Sequence, residues 1–292
     1  MHEEENKSRD LFIGISLLLI GALMLGASGI FVKISESSPS LIAFYRAFFA
    51  LPFLYVWMIY EDKNNKKDIV WNKRNKLFLV LGGLCFALDM FIWNWSLVFT
   101  SVANATLMAN TAPVFVVLFG VLFLSYKIKL SFIISLLFAF VGVCLVVLPG
   151  ERVMVLGDSL GLMAAIFYAG YILSIKELTN VLKPGKTLFF VTLSTVFFLL
   201  PISLIESNGL SINKSEILLL LLYAIFSQTI AQGLITYGIS LVSAHLSSLV
   251  LLMQPVAAAF YGWLLLEEII SPMQAIGGMI VLLAIYAASR KD

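Results

Sequence analysis

Apolar runs of about twenty residues, separated by short polar breaks, fill almost the whole chain. That length matches the roughly 30 Å hydrocarbon core of a bilayer at 1.5 Å per helical residue. Ten such helices are predicted: α1 over 11–33, α2 over 40–60, α3 and α4 together over 77–124, α5 over 131–148, α6 over 157–176, α7 over 187–205, α8 over 217–241, α9 over 243–266 and α10 over 272–288. The fold class expected is therefore an all-α membrane protein. A hinge at Thr100-Ser101 leaves almost no loop between α3 and α4, and Pro149-Gly150 stops α5. Asp158 and Ser159 stand where they could cap the start of α6. The longest break, over 61–76, is too short for a soluble domain, and residues 1–10 form a mixed-charge tail.

One pattern recurs. The stretch 77–124 has an echo 142 residues later at 219–266, which maps Ser101 onto Ser243, Leu107 onto Leu249, Pro113 onto Pro255 and Gly120 onto Gly262. Likewise α1 ends "LGASGIFVK" and α6 ends "YAGYILSIK", 143 residues further on. The repeating unit is thus five helices, over 11–148 and 156–289. An odd number of spans forces the second copy to enter the membrane upside down. Inverted repeats that meet at a midplane site are a plan of secondary transporters.

Composition closes off the soluble alternatives. With 61% hydrophobic and 12% charged residues and a mean hydropathy of +1.00, the surface lacks the charge that water demands. The first run is too long, and its tail too mixed in charge, for a cleaved leader. Cys85 and Cys144 fall within apolar runs and read as packing residues. With the N-terminus placed in the cytoplasm, inside segments hold 15 Lys and Arg and outside segments hold 3. That bias sets both termini in the cytoplasm by the positive-inside rule.

Polar groups inside the spans are the candidate chemistry. Asp89 lies about 12 residues into α3, roughly 18 Å deep at 1.5 Å per residue. An ionised carboxylate there costs at least about 2.5–3.5 kcal/mol, so it must face a cavity, find a partner or hold its proton. It reads either as a coupling or ammonium-binding group or as a polar anchor between helices. Cys85, Asp89, Trp93 and Ser96 share one stripe of α3, while Trp95 suits an interfacial belt. On α4, Thr106, Asn110 and Pro113 form one stripe and Asn104, Met108 and Thr111 another, and the pattern leaves open which faces a cavity. Pro113 and Pro255 each free a carbonyl at mid-depth, a kink that also serves packing. Gln228 and Gln232 sit one turn apart on α8, and Ser247 and Gln254 share a stripe of α9. These amides serve equally as substrate contacts or as glue between helices. Tyr168 and Tyr171 add hydroxyls and aromatic walls. Arg46 in α2 either snorkels outward or pairs with a substrate carboxylate. His245 marks the start of α9, and Glu267-Glu268 its far end as an interfacial cap.

No zinc-hydrolase, Walker, nucleophile-elbow or Cys/His motif occurs, so catalysis, metal, cofactor and nucleic acid find no support.

The segments "TSVANATLMANTAPVFVVLFGVLFL", "SAHLSSLVLLMQPVAAAFYGWLLLEEIISPMQAIGGMIVLLAI", "LGDSLGLMAAIFYAGYIL" and the Arg-bearing "FYRAFFALPF" resemble the EamA family of the drug/metabolite transporter superfamily. After α4 the family has a small residue and Gly-Glu-Arg, where this chain has "LSYKIK". The resemblance implies ten helices in two inverted halves and a central cavity lined mainly by α1, α3, α4, α6, α8 and α9. It also implies alternating access. The aromatic, amide and acid lining suits an amphipathic, amino-acid-like solute, and the resemblance implies export across a bacterial inner membrane. An importer or exchanger of a nucleotide-like or S-adenosylmethionine-like solute stands beside it, as does a non-transporting regulator. The expected partners are lipid, the solute and, through Asp89, protons, with monomer and homodimer both open.

Overall fold

The protein, seen as a computed structural model, is described over residues 2–63, 72–100, 102–147, 155–266 and 271–290. Ser101 of the hinge, the Pro149-Gly150 stop, the centre of the 61–76 loop and the Glu267-Glu268 cap lie outside the described residues.

Nine helices among the described residues are long and apolar enough to cross a bilayer: α1 (Ser8–Ile34), α2 (Pro39–Lys63), α3 (Lys73–Phe99), α4 (Asn104–Leu124), α6 (Val155–Thr179), α7 (Pro184–Glu206), α8 (Lys214–Leu241), α9 (Ala244–Tyr261) and α10 (Pro272–Ser289). The tenth, α5 (Leu130–Val147), is apolar and barely shorter. The helix that becomes α1 already starts at His2, so residues 2–10 extend it rather than forming an irregular tail. Side chains such as Phe123, Phe138, Ile205 and Tyr286 stay exposed, as a bilayer solvent allows.

The packing obeys a two-fold relation between halves. α1 lies along α8 as α6 lies along α3, α9 lies on α1 as α4 lies on α6, and α2 meets α8 as α7 meets α3. The remaining extensive contacts, α2 with α7 and α5 with α10, pair each helix with its own counterpart. Two inverted five-helix repeats satisfy every one of these pairings at once. Equivalent glycines show the same relation at the atomic level. A Cβ on Gly14 would lie 2.7 Å from the Val242 side chain, and one on Gly157 would lie 2.6 Å from that of Thr100. Both positions are 143 residues apart, and their neighbours 142. Without side chains, both helices approach closely enough for dispersion to hold them in lipid.

Four spans are interrupted. In α4 the helix stops at Ala109 and resumes at Ala112, and in α9 it stops at Val250 and resumes at Met253. The cause is proline: Pro113 and Pro255 lack an N–H and crowd the carbonyl four residues back, that of Ala109 and of Leu251. Tighter three-residue bonds bridge the gaps, from Thr111 N–H to the Met108 carbonyl at 3.1 Å and from Leu252 N–H to the Leu249 carbonyl at 3.1 Å. α1 breaks at Ala27 with no proline, again through three-residue bonds (Ala27 N–H to Met24 O, 3.2 Å). In α8, residues Ala224–Ala231 widen into a π-helix.

Candidate functional site

Near the middle of the bundle, residues of α1, α2, α3, α4, α6, α8 and α9 enclose one cavity. Its lining includes Ser28, Arg46, Phe86, Asp89, Trp93, Asn110, Pro113, Tyr168, Gln232, Ser248 and Gln254. About 70 Å³ is open to the centres of water-sized molecules, room for a few waters and no metabolite. The open space is thus small beside the polar wall that surrounds it.

The helix breaks build part of its wall. Ala109 and Leu251, whose carbonyls the two prolines crowd, both line it, as do Asn110 and Pro113. Of the two stripes on α4, the one carrying Asn110 and Pro113 faces the cavity. The other packs on α6, where a Cβ on Gly161 would meet Met108 at 2.8 Å. The α3 stripe divides: Asp89 and Trp93 turn to the cavity, while Cys85 lies against Gly170 of α6.

Arg46 does not snorkel to the surface. Only 6% of it is exposed. Its guanidinium carbon sits 5.0 Å from the Tyr223 ring centre and 5.9 Å from that of Phe86, and Nη1 donates to the Tyr223 hydroxyl at 3.0 Å. Its Nε meets no protein acceptor. A cation held by ring faces and one hydroxyl retains unspent donors.

Asp89 opens onto the same cavity, and among the described residues no side chain donates a hydrogen bond to its carboxylate. Arg46 and Asp89 form no direct ion pair. Tyr168 Oη and Gln232 Oε1 are buried without a well-formed hydrogen bond, the Gln232 side chain lying beside the Tyr168 hydroxyl. Around them Phe86 stacks on Tyr171 at 4.2 Å and Tyr171 on Tyr168 at 5.9 Å. Buried polar atoms are almost always paired. Here buried atoms without a well-formed bond reach one cavity from α2, α6 and α8, beside the Asp89 carboxylate of α3, and make it the candidate site.

Other candidates fall outside the lining. Tyr171 is fully buried and accepts a 3.1 Å bond from Gln232 Nε2, which makes it a support for Gln232. Gln228 turns to α7 and donates to Thr192 Oγ1 at 3.2 Å. Gln228 and Gln232 thus meet different helices, α7 and α6, although they lie one turn apart. Asn104 is buried outside the cavity, and Pro255 shapes the wall without lining it. Asp158 accepts the Thr100 hydroxyl at 2.9 Å, three residues into a helix that begins earlier than its position suggests. Ser28, which reaches Ser227 at 2.8 Å, and Ser248 are cavity residues that the sequence did not single out. A small residue in a small-residue run carries no signal of its own.

A ten-helix inverted-repeat bundle, its helices broken around a small polar cavity, defines a multi-pass membrane transporter. The chain belongs to the EamA-like transporter family, whose model matches residues 12–148 and again 155–290. It is 26% identical to an uncharacterized transporter of Archaeoglobus fulgidus over 287 residues, 94% of this chain and 97% of that protein. It is 24% identical to the pseudopaline exporter CntI of Pseudomonas aeruginosa, over 95% of this chain and 96% of the exporter. A crystal structure 15% identical in sequence superposes with a TM-score of 0.75 over 97% of each chain, a likeness of fold.

Proposed function

We propose that the chain is a secondary active exporter of a small zwitterionic, amino-acid-like solute, working by alternating access between its two halves. One observation carries this reading: a carboxylate and a guanidinium, Asp89 and Arg46, serve the same midplane cavity without pairing with each other. A solute ammonium would meet Asp89 and its carboxylate Arg46, while Trp93, Tyr168 and Phe86 cover an apolar side chain. Such a solute neutralises both charges at once, which offsets the cost of keeping each at membrane depth. The membrane is the bacterial inner membrane, with both termini cytoplasmic.

The test is counterflow of radiolabelled amino acids in proteoliposomes, with N-acylated and esterified analogues as competitors. Competition by the free amino acid and by neither analogue is the expected result. Asp89→Asn and Arg46→Met should each weaken apparent affinity roughly tenfold or more, the worth of one charge-assisted contact. Indifference to every amino acid offered sinks the solute class. Exchange that survives in Asp89→Asn while gradient-driven accumulation fails assigns Asp89 to proton carriage instead.

A further inference from the structure

We propose that Lys33 and Lys176 are equivalent latches on opposite faces of the membrane, and that each must release for the cavity to open on its own side. The inference rests on the transporter class and is independent of which solute is carried.

The geometry comes first. α3 ends in an extended residue, Thr100, and α8 in another, Val242. At each end the last N–H closes on the carbonyl four back: Thr100 on Ser96 at 2.9 Å, Val242 on Gly238 at 3.2 Å. The carbonyls just after those acceptors belong to the last helical turn, which lacks intrahelical partners. Lys33, in the last turn of α1, donates to the Leu97 carbonyl at 2.6 Å. Lys176, near the end of α6, donates to the Ile239 carbonyl at 2.9 Å and the Ser240 carbonyl at 3.4 Å. The lysines are 143 residues apart and their acceptors, Leu97 and Ile239, are 142 apart. They are therefore the same contact made twice by the inverted repeat, once at each end of the bundle.

What these contacts bridge gives them a role. α1 packs along α8, and α3 along α6, so the cavity lies between α1 and α3 as well as between α6 and α8. Past the Ala27 break, the segment Ser28–Ile34 leans over to touch α3, and Lys33 lies in that segment. At the other end Gln232–Leu241 of α8 meets α6, where Lys176 binds it. Each lysine thus spans one mouth of the cavity. Both contacts are made in this structure, in which the open space of the cavity is small. Rocking of the α1–α8 pair against the α3–α6 pair opens one mouth only when that mouth's lysine lets go.

A lysine near a helix C-terminus also answers the helix dipole, and a purely stabilising role is the competing explanation. The two differ in sidedness. In full-length protein with Cys85 and Cys144 replaced by alanine, a single cysteine is placed at Ser248 on the cavity wall. Sealed vesicles are then treated with a membrane-impermeant maleimide from one face or the other, with no solute present. Lys33→Met should raise labelling from the Lys33 face roughly tenfold or more, the shift expected from losing one charge-assisted hydrogen bond. Labelling from the opposite face should fall. Lys176→Met should do the reverse, and Lys→Arg, which can still donate, should keep the parent pattern at both sites. Where a methionine variant does not yield folded protein, Lys→Ala, which also lacks a donor, carries the same expectation. Equal gains from both faces, or no change from either, overturn the proposal. Solute specificity does not enter the readout, so failure here leaves the zwitterion reading standing, and the converse.

Discussion

An arginine at membrane depth survives only where its donors are used or its charge is shielded. Arg46 has both kinds of support, Phe86 and Tyr223 on its flanks and the Tyr223 hydroxyl on Nη1. Tyr223→Phe keeps the ring and removes the acceptor. We expect a stability loss of about 1–3 kcal/mol in detergent, because a buried donor on a charged group is left unpaired. Weakening of solute affinity should accompany it in counterflow. Arg46→Lys should not rescue function, since a compact ammonium cannot stack on two rings and reach the cavity at once. Wild-type melting and affinity in Tyr223→Phe would show that the hydroxyl is incidental. Asp89 was legible in the sequence because a carboxylate in an apolar run has few bland explanations. Arg46 was ambiguous because a long side chain can reach water from several depths, and only its neighbours from α3 and α8 decide the direction. Ser28 and Ser248 were illegible, since their significance comes from position alone.

Helix breaks behave the same way. Those in α4 and α9 could be read from Pro113 and Pro255, which carry the chemical cause in the sequence. The break at Ala27 and the π-helix at Ala224–Ala231 have no such residue, and tertiary packing alone selects them. Gln228 likewise finds Thr192 of α7 rather than the cavity that Gln232 lines, a choice of neighbour that spacing alone does not encode. If the proline break exists to shape the cavity, Pro113→Ala should restore the bond from residue 113 to the Ala109 carbonyl and straighten α4. Helix propensity alone favours alanine by about 3 kcal/mol, which repacking offsets in part. The expected signature is therefore a melting temperature unchanged or raised, with transport lost by roughly tenfold or more as the wall at Ala109 and Asn110 moves. Pro255→Ala should act alike through Leu251. A variant that melts early and transports in proportion to its folded fraction would reduce the prolines to packing.

The repeat was visible because few residues had to match: two prolines, a hinge and two similar helix ends, at a nearly constant spacing. Packing then extends the same spacing to glycines, lysines and capping residues that no single motif marks, such as Gly14 with Gly157. Inversion also ties direction of transport to orientation, and orientation depends on charge that lies mostly in short loops. The 15-to-3 bias of Lys and Arg predicts that the face carrying the α2–α3, α4–α5 and α6–α7 connections stays in the cytoplasm. A fluorescent reporter fused after Arg290 should therefore fold and fluoresce, and a phosphatase reporter placed there should be silent. A phosphatase inserted between α1 and α2, after Ile34, should be active. The opposite pattern would turn the molecule over and place Lys33 at the cytoplasmic mouth. Reporters active on both sides for both sites would indicate dual orientation, which a bias this strong opposes. Neutralising Lys73, Arg74 and Lys76 together removes half of the charge in the largest inside segment, six residues in all. Some inverted molecules should then appear, readable as phosphatase activity at the C-terminus. If even that change leaves the reporters untouched, charge is not what holds this chain's orientation, and the first helices' packing against α8 must be setting it instead.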